Sequence, residues 1–264
     1  AGALAAESTA RASVAADPGL ATTRSHAPPG PGGTTSPMSI EIGTVEALFR
    51  HPVKSMRGER LDAAALGWHG LDGDRRLAFR RVDDRGGFPW LTASRLPALL
   101  LYEPVRSGAA AGGLPTHVRT AGGEVLELFG DALAAEVGAR HGAPVAMLHL
   151  DRGIFDEASV SVIAGATVDE IGRLAAQPPD VRRFRPNVLV RTHRALPFEE
   201  DDWVGGVLAF GRERDAAAVA VTNRDERCAM VGFDPDTARN APSVLKAIVR
   251  VRDNRAGVYA TVVR

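Results

Sequence analysis

The sequence predicts an α+β protein that is mainly β, with an N-terminal β-rich, barrel-like domain followed by a second β-barrel that carries a few packed helices. From Ile40 onwards, short apolar stretches are interrupted at close intervals by glycine, proline and aspartate, which is typical of many short strands. Helical patterns occur singly between groups of strand candidates. This arrangement favours α+β over a doubly wound α/β fold, which is the weaker alternative.

The predicted strands follow from short apolar runs bounded by turn residues. The sequence at 121–123, Ala-Gly-Gly, lies between two of these runs and indicates a hairpin. The run at 99–102 is short enough to be a buried strand. The strand candidates are Val45 to Phe49, Leu99 to Tyr102, Val118, Val125 to Leu128, Val188 to Val190, Val207 to Phe210 and Ala218 to Val221.

Three helices are predicted from apolar spacing and capping residues. Asp131 can cap a first helix that stops at Gly142. Thr167 and Glu170 form a capping box for a second helix, which ends before two consecutive prolines at 178–179. A third helix is expected over 243–251.

The chain divides into three parts by composition. Residues 1–37 are rich in Ala, Ser, Thr, Pro and Gly without helical or strand periodicity, so we expect them to be disordered. Met38 is a candidate translation start, which would make 1–37 upstream sequence. Residues 38–150 are then expected to form the N-terminal β-barrel domain, and residues 151–264 the second domain.

Composition narrows the class of protein. Lys+Arg and Asp+Glu both number 32, which is unlike a nucleic-acid-binding protein with its basic excess. No apolar run reaches the roughly 20 residues that span a bilayer. We therefore expect a soluble protein that binds neither nucleic acid nor membrane.

The chain has a single cysteine, Cys228. One thiol forms no intramolecular disulfide, which fits a reducing compartment, and we expect a cytoplasmic protein. Zinc sites with several thiolates and cysteine-ligated iron–sulfur clusters need more cysteines than this. If Cys228 binds a metal, most of the coordination has to come from a cofactor.

Common catalytic signatures are absent: the sequence contains no GxSxG, P-loop, GxGxxG or HExxH pattern. The seven histidines are scattered, and we interpret them as surface or packing residues. Three segments remain that packing alone explains poorly.

The first segment, 51–58, is a proline-led loop that presents Lys54, Ser55 and free backbone N–H groups, a combination suited to a phosphate. The second, 182–187, leads into a predicted strand, and its Arg185 is expected to be extended because a proline follows. The third, 223–228, places Arg224 and Arg227 near Cys228, which would stabilise a thiolate. Taken alone, a solvated turn, a charged loop and a buried thiol are the simpler explanations of the three.

Together, these segments resemble the MOSC superfamily, named for the C-terminal domain of molybdenum-cofactor sulfurase. The similarity is to the branch that includes the mitochondrial amidoxime-reducing component and its bacterial relatives, and it runs from about Ile42 to the C-terminus. The segments that carry it are Pro52-Val53-Lys54-Ser55, Phe184-Arg185-Pro186-Asn187, Glu200-Asp201-Asp202-Trp203 and Arg227-Cys228 with Asp234-Pro235-Asp236-Thr237.

The resemblance implies a molybdenum cofactor, Mo-molybdopterin, with Cys228 as the protein ligand to the metal. It implies that Lys54 and Ser55 contact the cofactor's phosphate and that Arg76 is a further candidate there. Arg185 and Asn187 would hold the pterin. A soft thiolate suits this metal. Arg227, adjacent to the metal ligand, is counted among the cofactor-binding residues.

The chain departs from the branch at two places. Relatives carry a T-A-R pattern where this chain has Thr92-Ala93-Ser94-Arg95, so Arg95 is displaced by one position from the cofactor-binding arginine. Relatives also continue beyond the last residue here into a closing strand. The sequence therefore predicts either a fragment or a barrel with one open edge.

The resemblance implies an oxidoreductase that reduces N-hydroxylated or N-oxygenated small molecules. Because the chain has no cysteine besides Cys228 to supply an iron–sulfur domain, we expect electrons from a separate ferredoxin or flavoprotein-type reductase. A cofactor carrier or sulfur-transfer module is the first alternative. A pyridoxal-phosphate protein is the second, with Lys54 and Lys246 as its two candidate Schiff-base lysines.

Overall fold

The computed structural model describes residues 2–5, 11–16, 39–106, 113–213 and 215–264, and these residues confirm a mainly β protein of the α+β class. Its strands are β1 (Gly2–Ala5), β2 (Arg11–Ala16), β3 (Ser39–Arg50), β4 (Glu59–Leu61), β5 (Ala63–Gly67), β6 (Gly70–Leu71), β7 (Leu77–Arg81), β8 (Glu103–Val105), β9 (His117–Arg119), β10 (Val125–Glu127), β11 (Val145–His149), β12 (Val160–Ala164), β13 (Val188–Thr192), β14 (Gly206–Phe210), β15 (Ala218–Glu226) and β16 (Arg255–Val262).

The helices among these residues are α1 (Asp131–His141), α2 (Gly165–Ala175) and α3 (Ser243–Arg252). Short 3₁₀ helices lie at Pro97–Leu101, Val181–Arg183, Glu199–Trp203 and Ala229–Gly232. None of the helices in the described part of the chain is long and apolar enough to cross a membrane.

The large sheet closes on itself. Its strand order is β13-β12-β16-β15-β14-β2-β3-β4, and an additional pairing of β13 with β3 joins the ends into a ring to which β4 is attached. The pairings are antiparallel except for that of β12 with β13. The expected open edge is therefore wrong for this sheet, because β2 and β3 occupy the place between β14 and β13.

Three apolar cores hold the elements together. Val45, Val162 and Val258 belong to the core inside the ring, whereas Ile171 and Ile248 pack α2 and α3 against its outer side. A separate core, with Phe79, Leu99 and Leu133 at its centre, lies under the small sheets β7–β11 and β8–β9–β10. The loop after β3 crosses from the ring to this second core.

The prediction of disorder for residues 1–37 is wrong for two segments. Gly2–Ala5 pairs with β5, and Arg11–Ala16 lies between β14 and β3 in the ring. Runs of alanine, serine and valine lack apolar periodicity. Their backbone N–H and C=O groups can nevertheless form hydrogen bonds with the unpaired edges of neighbouring strands. The other residues of 1–37 lie outside the described part of the chain. The domain division at residue 150 stays a prediction.

Several local predictions need correction as well. The run at 99–102 is not a strand but falls mostly within the 3₁₀ helix Pro97–Leu101, because proline starts a helical turn and a short apolar run does not distinguish the two structures. Gly130, not Asp131, is the N-cap of α1. The hairpin of β9 and β10, the stop at Gly142 and the third helix are confirmed.

The predicted capping box at Thr167 and Glu170 is also wrong. Helix α2 begins earlier, at Gly165, with Ala164 as its N-cap. The Thr167 hydroxyl instead donates to Glu200 Oε2 over 2.8 Å and accepts from the Phe198 amide over 2.7 Å. Tertiary partners therefore replace the local cap that the sequence spacing indicated.

Candidate functional site

A cavity of about 330 Å³ lies where the loop after β3, the segment before β13 and the end of β15 meet. Small-molecule sites are concavities of this order, roughly 300 Å³ or more. The cavity brings together five of the eight residues singled out from the sequence, which are Lys54, Ser55, Arg185, Arg227 and Cys228.

Lys54 lies in the loop after β3, and a backbone hydrogen bond connects this loop to β7. Its amide donates to the Leu77 carbonyl over 2.7 Å, and its side chain is only 8% exposed. The ammonium Nζ is 2.9 Å from Asp156 Oδ1 and 5.7 Å from the centre of the Phe88 ring. Burial lowers the pKa of Lys54, the ion pair with Asp156 opposes this shift, and Arg75 adds to the lowering. The loop thus holds a buried cation at the cavity wall.

Arg75 and Arg185 join the two halves of the site. Arg75 pairs with the buried Asp74 and donates from Nη2 to the Arg185 carbonyl over 2.9 Å. Arg185 donates in turn from Nη1 to the Met56 carbonyl over 2.7 Å. Burial lowers the pKa of Arg185 to about 9, with a further contribution from Arg75. Arg185 is therefore still cationic at neutral pH.

Three residues of the cavity wall adopt the left-handed backbone conformation: Ser55 with φ 69°, Arg75 with φ 50° and Arg185 with φ 50°. This conformation costs residues with a Cβ about 1–2 kcal/mol each. Such strained residues cluster at functional sites when the surrounding structure holds them in place. The prediction that Arg185 is extended is wrong, because its contacts with Met56 and Arg75 outweigh the preference imposed by the following proline.

Asn187 does not line the cavity. It is 1% exposed, and its Oδ1 accepts from the Ser161 amide over 3.0 Å while its Nδ2 donates to the Phe49 carbonyl over 3.3 Å. These bonds cross-link β12 and β3 beside β13. Asn187 therefore supports the wall of the site and has no direct access to a ligand.

Arg76 and Arg95 also lie away from the cavity. Arg76 donates to the Asp151 carbonyl, and its neighbour Arg75 takes the predicted place in the wall. Arg95 is exposed, whereas Thr92 and Ser94 of the same segment line the cavity. Which of two adjacent arginines faces inward depends on the backbone conformation at Arg75, which local sequence does not reveal.

Cys228 is exposed and precedes the 3₁₀ helix Ala229–Gly232. The two arginines expected beside it bind elsewhere: Arg227 donates to the carbonyls of Ala256 and Phe184, and Arg224 lies 3.6 Å from Asp201. Arg227 therefore anchors the end of β15 to the segment before β13. The thiol itself is exposed and lines the cavity.

The Asp234–Thr237 turn fastens the loop that follows Cys228. Asp234 Oδ1 accepts from the amides of Asp236 and Thr237 over 3.1 and 2.9 Å. Asp234 also binds Arg183 at 3.1 Å, and Asp236 binds Arg182 at 2.6 Å. The turn therefore links the loop carrying Cys228 to the segment carrying Arg185.

Sequence reasoning missed Asp225, a cavity residue that is 2% exposed. Its Oδ2 accepts from the Ser161 hydroxyl over 3.0 Å and lies 2.8 Å from Arg227 Nη2. Burial raises the pKa of Asp225 to about 6, although Arg227 and Ser161 oppose the shift. Its position three residues before Cys228, within a segment already singled out, was the one available signal.

Two family models match this chain. The MOSC N-terminal beta barrel domain matches residues 42–141, and the MOSC domain matches residues 138–264. The chain therefore belongs to the MOSC-domain proteins and combines an N-terminal barrel domain with a MOSC domain. The MOSC domain is associated with proteins that bind the molybdenum cofactor.

One solved structure that this chain matches is that of the YuaD protein from Bacillus subtilis. The two chains share 15% sequence identity at a TM-score of 0.45, and the match covers 84% of this chain and 88% of that one. No curated protein matches the sequence.

The charge of the cavity fits a molybdopterin phosphate. Five cationic side chains line it, against three carboxylates: Lys54, Arg75, Arg183, Arg185 and Arg227 against Asp156, Asp225 and Glu226. The surplus of two positive charges matches a phosphate monoester, which carries about −1.5 to −2 at neutral pH. In the described part of the chain, Arg183 Nε is buried without a hydrogen-bond partner, whereas Arg227 Nη2 is paired with Asp225 at 2.8 Å. The lining therefore contains one guanidinium N–H that no protein group uses.

Proposed function

We propose that this protein is a molybdenum-cofactor-dependent oxidoreductase that reduces N-hydroxylated or N-oxygenated small molecules. The observation that carries the proposal is the convergence of Cys228 with five cations on one cavity. The exposed Cys228 thiol and the cationic wall formed by Lys54, Arg75 and Arg185, called the inner wall below, are complementary to the two ends of a metal-bearing pterin phosphate.

The proposal gives each residue a distinct part. Lys54 and Arg75 would hold the phosphate, because both are cations of the inner wall, Lys54 buried and Arg75 half-buried. Arg185 would face the pterin, and Cys228 would ligate the metal. When bound, the cofactor supplies the two-electron chemistry at nitrogen–oxygen bonds, and the protein supplies orientation and access.

The surroundings of Lys54 are consistent with anion binding. In the described structure its charge is balanced by Asp156, whose side chain is 65% exposed. An exposed carboxylate is solvated by water and is able to yield its place to a ligand anion at low cost. A phosphate would then be bound by Lys54 and Arg75.

Electrons would come from a separate protein, such as a ferredoxin or a flavoprotein-type reductase. The sequence contains one cysteine, and in this proposal it ligates the molybdenum, so it is not available for an iron–sulfur cluster. The reduction also consumes protons, so at least one acid near the reacting atoms is expected.

The test is anaerobic purification followed by measurement of molybdenum and pterin per chain and of amidoxime reduction with an artificial one-electron donor. We expect near-stoichiometric cofactor and turnover that is lost in Cys228→Ser. Stoichiometric cofactor without turnover would identify a carrier or sulfur-transfer module instead. Failure to bind the cofactor, even after reconstitution, would overturn the proposal.

A further inference from the structure

We propose that Asp225 is the acid that gives a proton to the oxygen removed from the substrate. This inference rests on the proposed function. It gives a catalytic role to Asp225, a buried carboxyl group that has no role in binding the cofactor. It is carried by the position of Asp225, by the hydrogen bonds that hold it and by the strand irregularity that surrounds it.

Asp225 is almost fully buried and yet lines the cavity. Its Oδ2 is held by the Ser161 hydroxyl at 3.0 Å and by Arg227 at 2.8 Å. Within the described residues, its other oxygen, Oδ1, accepts no hydrogen bond. One oxygen is therefore fixed by the protein, and the second is free to interact with a molecule in the cavity.

The backbone around Asp225 is irregular. Arg224 pairs with Val258, but Glu226 pairs with Arg255, so two residues of β16 oppose Asp225 alone. One of these two is Gly257, with φ 78°, where a Cβ would lie 2.9 Å from Arg227 Nη2. Bulges of this kind direct side chains next to active sites. The bulge also ends the regular part of β15 shortly before Cys228. Asp225 and Cys228 line the same cavity.

The charged groups around Asp225 leave it poised to exchange a proton near neutral pH. Burial raises the pKa of Asp225 to about 6, Arg227, Ser161 and Arg75 oppose the shift, and Asp156 adds to it. Tyr259 faces the same carboxyl from β16. An acid is most effective when its pKa lies near the working pH.

In an N-hydroxylated substrate the N–O bond breaks and two electrons are taken up from the one-electron donors together with two protons: one proton converts the leaving hydroxyl group to water, and the other protonates the nitrogen. Asp225 gives one proton to that oxygen, and solvent supplies the other. The Asp225 carboxylate is then reprotonated from solvent through the open side of the cavity.

The test compares the pH dependence of kcat for the cofactor-loaded wild type, Asp225→Asn and Glu226→Gln. Glu226 is the matched control, because it is the adjacent carboxylate, lines the same cavity and is exposed. For wild type and Glu226→Gln, kcat is expected to fall as the pH rises above about 6, because the acid loses its proton. Asp225→Asn should lose about 10²- to 10⁴-fold in kcat and also this pH dependence.

A second variant keeps the inference testable if Asp225→Asn folds poorly. Ser161→Ala removes a hydrogen bond that favours the carboxylate, so the midpoint of the fall in kcat should move to higher pH. In the resting protein, without turnover, the infrared carbonyl band of protonated carboxylic acids should contain a component that titrates with the same midpoint and is missing in Asp225→Asn, whereas the component from Glu200, whose pKa is about 7, should remain.

Three outcomes separate the inference from the function beneath it. Full kcat with an unchanged pH profile in Asp225→Asn overturns the inference and leaves the proposed function standing. An unmoved midpoint in Ser161→Ala also counts against it. If wild type and Glu226→Gln both bind cofactor but reduce no N-hydroxylated compound, the proposed function and the inference fail together.

Discussion

Arg75 Nη2 donates a hydrogen bond to the main-chain carbonyl of Arg185, 2.9 Å away and 110 positions further along the chain. The same guanidinium is paired with Asp74, which is 0% exposed. Arg75 thus connects a buried carboxylate of the N-terminal half with the loop that forms the inner wall of the cavity. We therefore expect Arg75 to contribute more than its neighbour Arg76 to the stability of the cavity wall.

Replacing Arg75 by alanine should destabilise the protein far more than the same change at Arg76. Arg75→Ala leaves the buried Asp74 without its charged partner, which costs about 3–5 kcal/mol. Arg76→Ala removes a bond to the Asp151 carbonyl at a partly exposed site and should cost about 1 kcal/mol. Urea unfolding of both variants measures the difference. Equal losses would contradict the part assigned to the Asp74–Arg75 pair.

Cys228→Ala should abolish molybdenum binding with almost no effect on folding. The thiol is exposed, and surface substitutions usually change the free energy of unfolding by about 0.5 kcal/mol or less. Metal content per chain and the thermal midpoint, measured on one preparation, provide the check. A marked fall in the thermal midpoint with full metal content would mean that the cysteine is structural.

Lys54→Ala should weaken cofactor retention more than folding. A charge-assisted hydrogen bond contributes about 1.5–3 kcal/mol, so retention should fall roughly 10- to 100-fold. The Asp156 carboxylate that loses its partner is largely exposed and is solvated by water. Pterin content after gel filtration is the measurement, and Lys246→Ala, at the exposed second lysine, is the matched control. Equal retention in both variants would remove Lys54 from the phosphate site.

Glu200 should make the protein less stable as the pH rises through neutrality. Burial raises the pKa of Glu200 to about 7, although the Thr167 hydroxyl opposes the shift. In the unfolded chain a glutamate titrates near 4.3, so the folded state binds more protons between these values. The contribution of Glu200 to stability is therefore full below about pH 4 and is lost as the pH rises through 7, on the order of 3 kcal/mol in all.

Urea midpoints measured from pH 4 to pH 8 test this prediction. Glu200→Gln should flatten the decline, because glutamine carries no titrating proton. Asp202→Asn, at an exposed carboxylate in the same segment, should leave the decline unchanged. A decline of the same size in Glu200→Gln would assign it to another group, for example Asp225.

Local patterns in the sequence were enough for the mainly β class, for the hairpin of β9 and β10 and for the segments that surround the cavity. These features depend on neighbouring residues: apolar runs, turn residues and short motifs. Local patterns gave wrong predictions where a residue binds a partner that is distant in the sequence instead of following its local conformational preference. Thr167 matches a capping box by spacing, yet its hydroxyl binds Glu200, 33 residues away.

The sequence by itself singled out Lys54, Arg185 and Cys228, because the short segments that carry them resemble, in the same order, the motifs of one protein family. Only the tertiary structure decided that Arg75 and not Arg76 faces the cavity, that Asn187 braces the strands and that Asp225 lines the site. Their positions are fixed by contacts across the fold, such as Arg185 with Met56 over 129 residues. Such contacts depend on how the strands close into a ring, and a short stretch of sequence does not determine that closure.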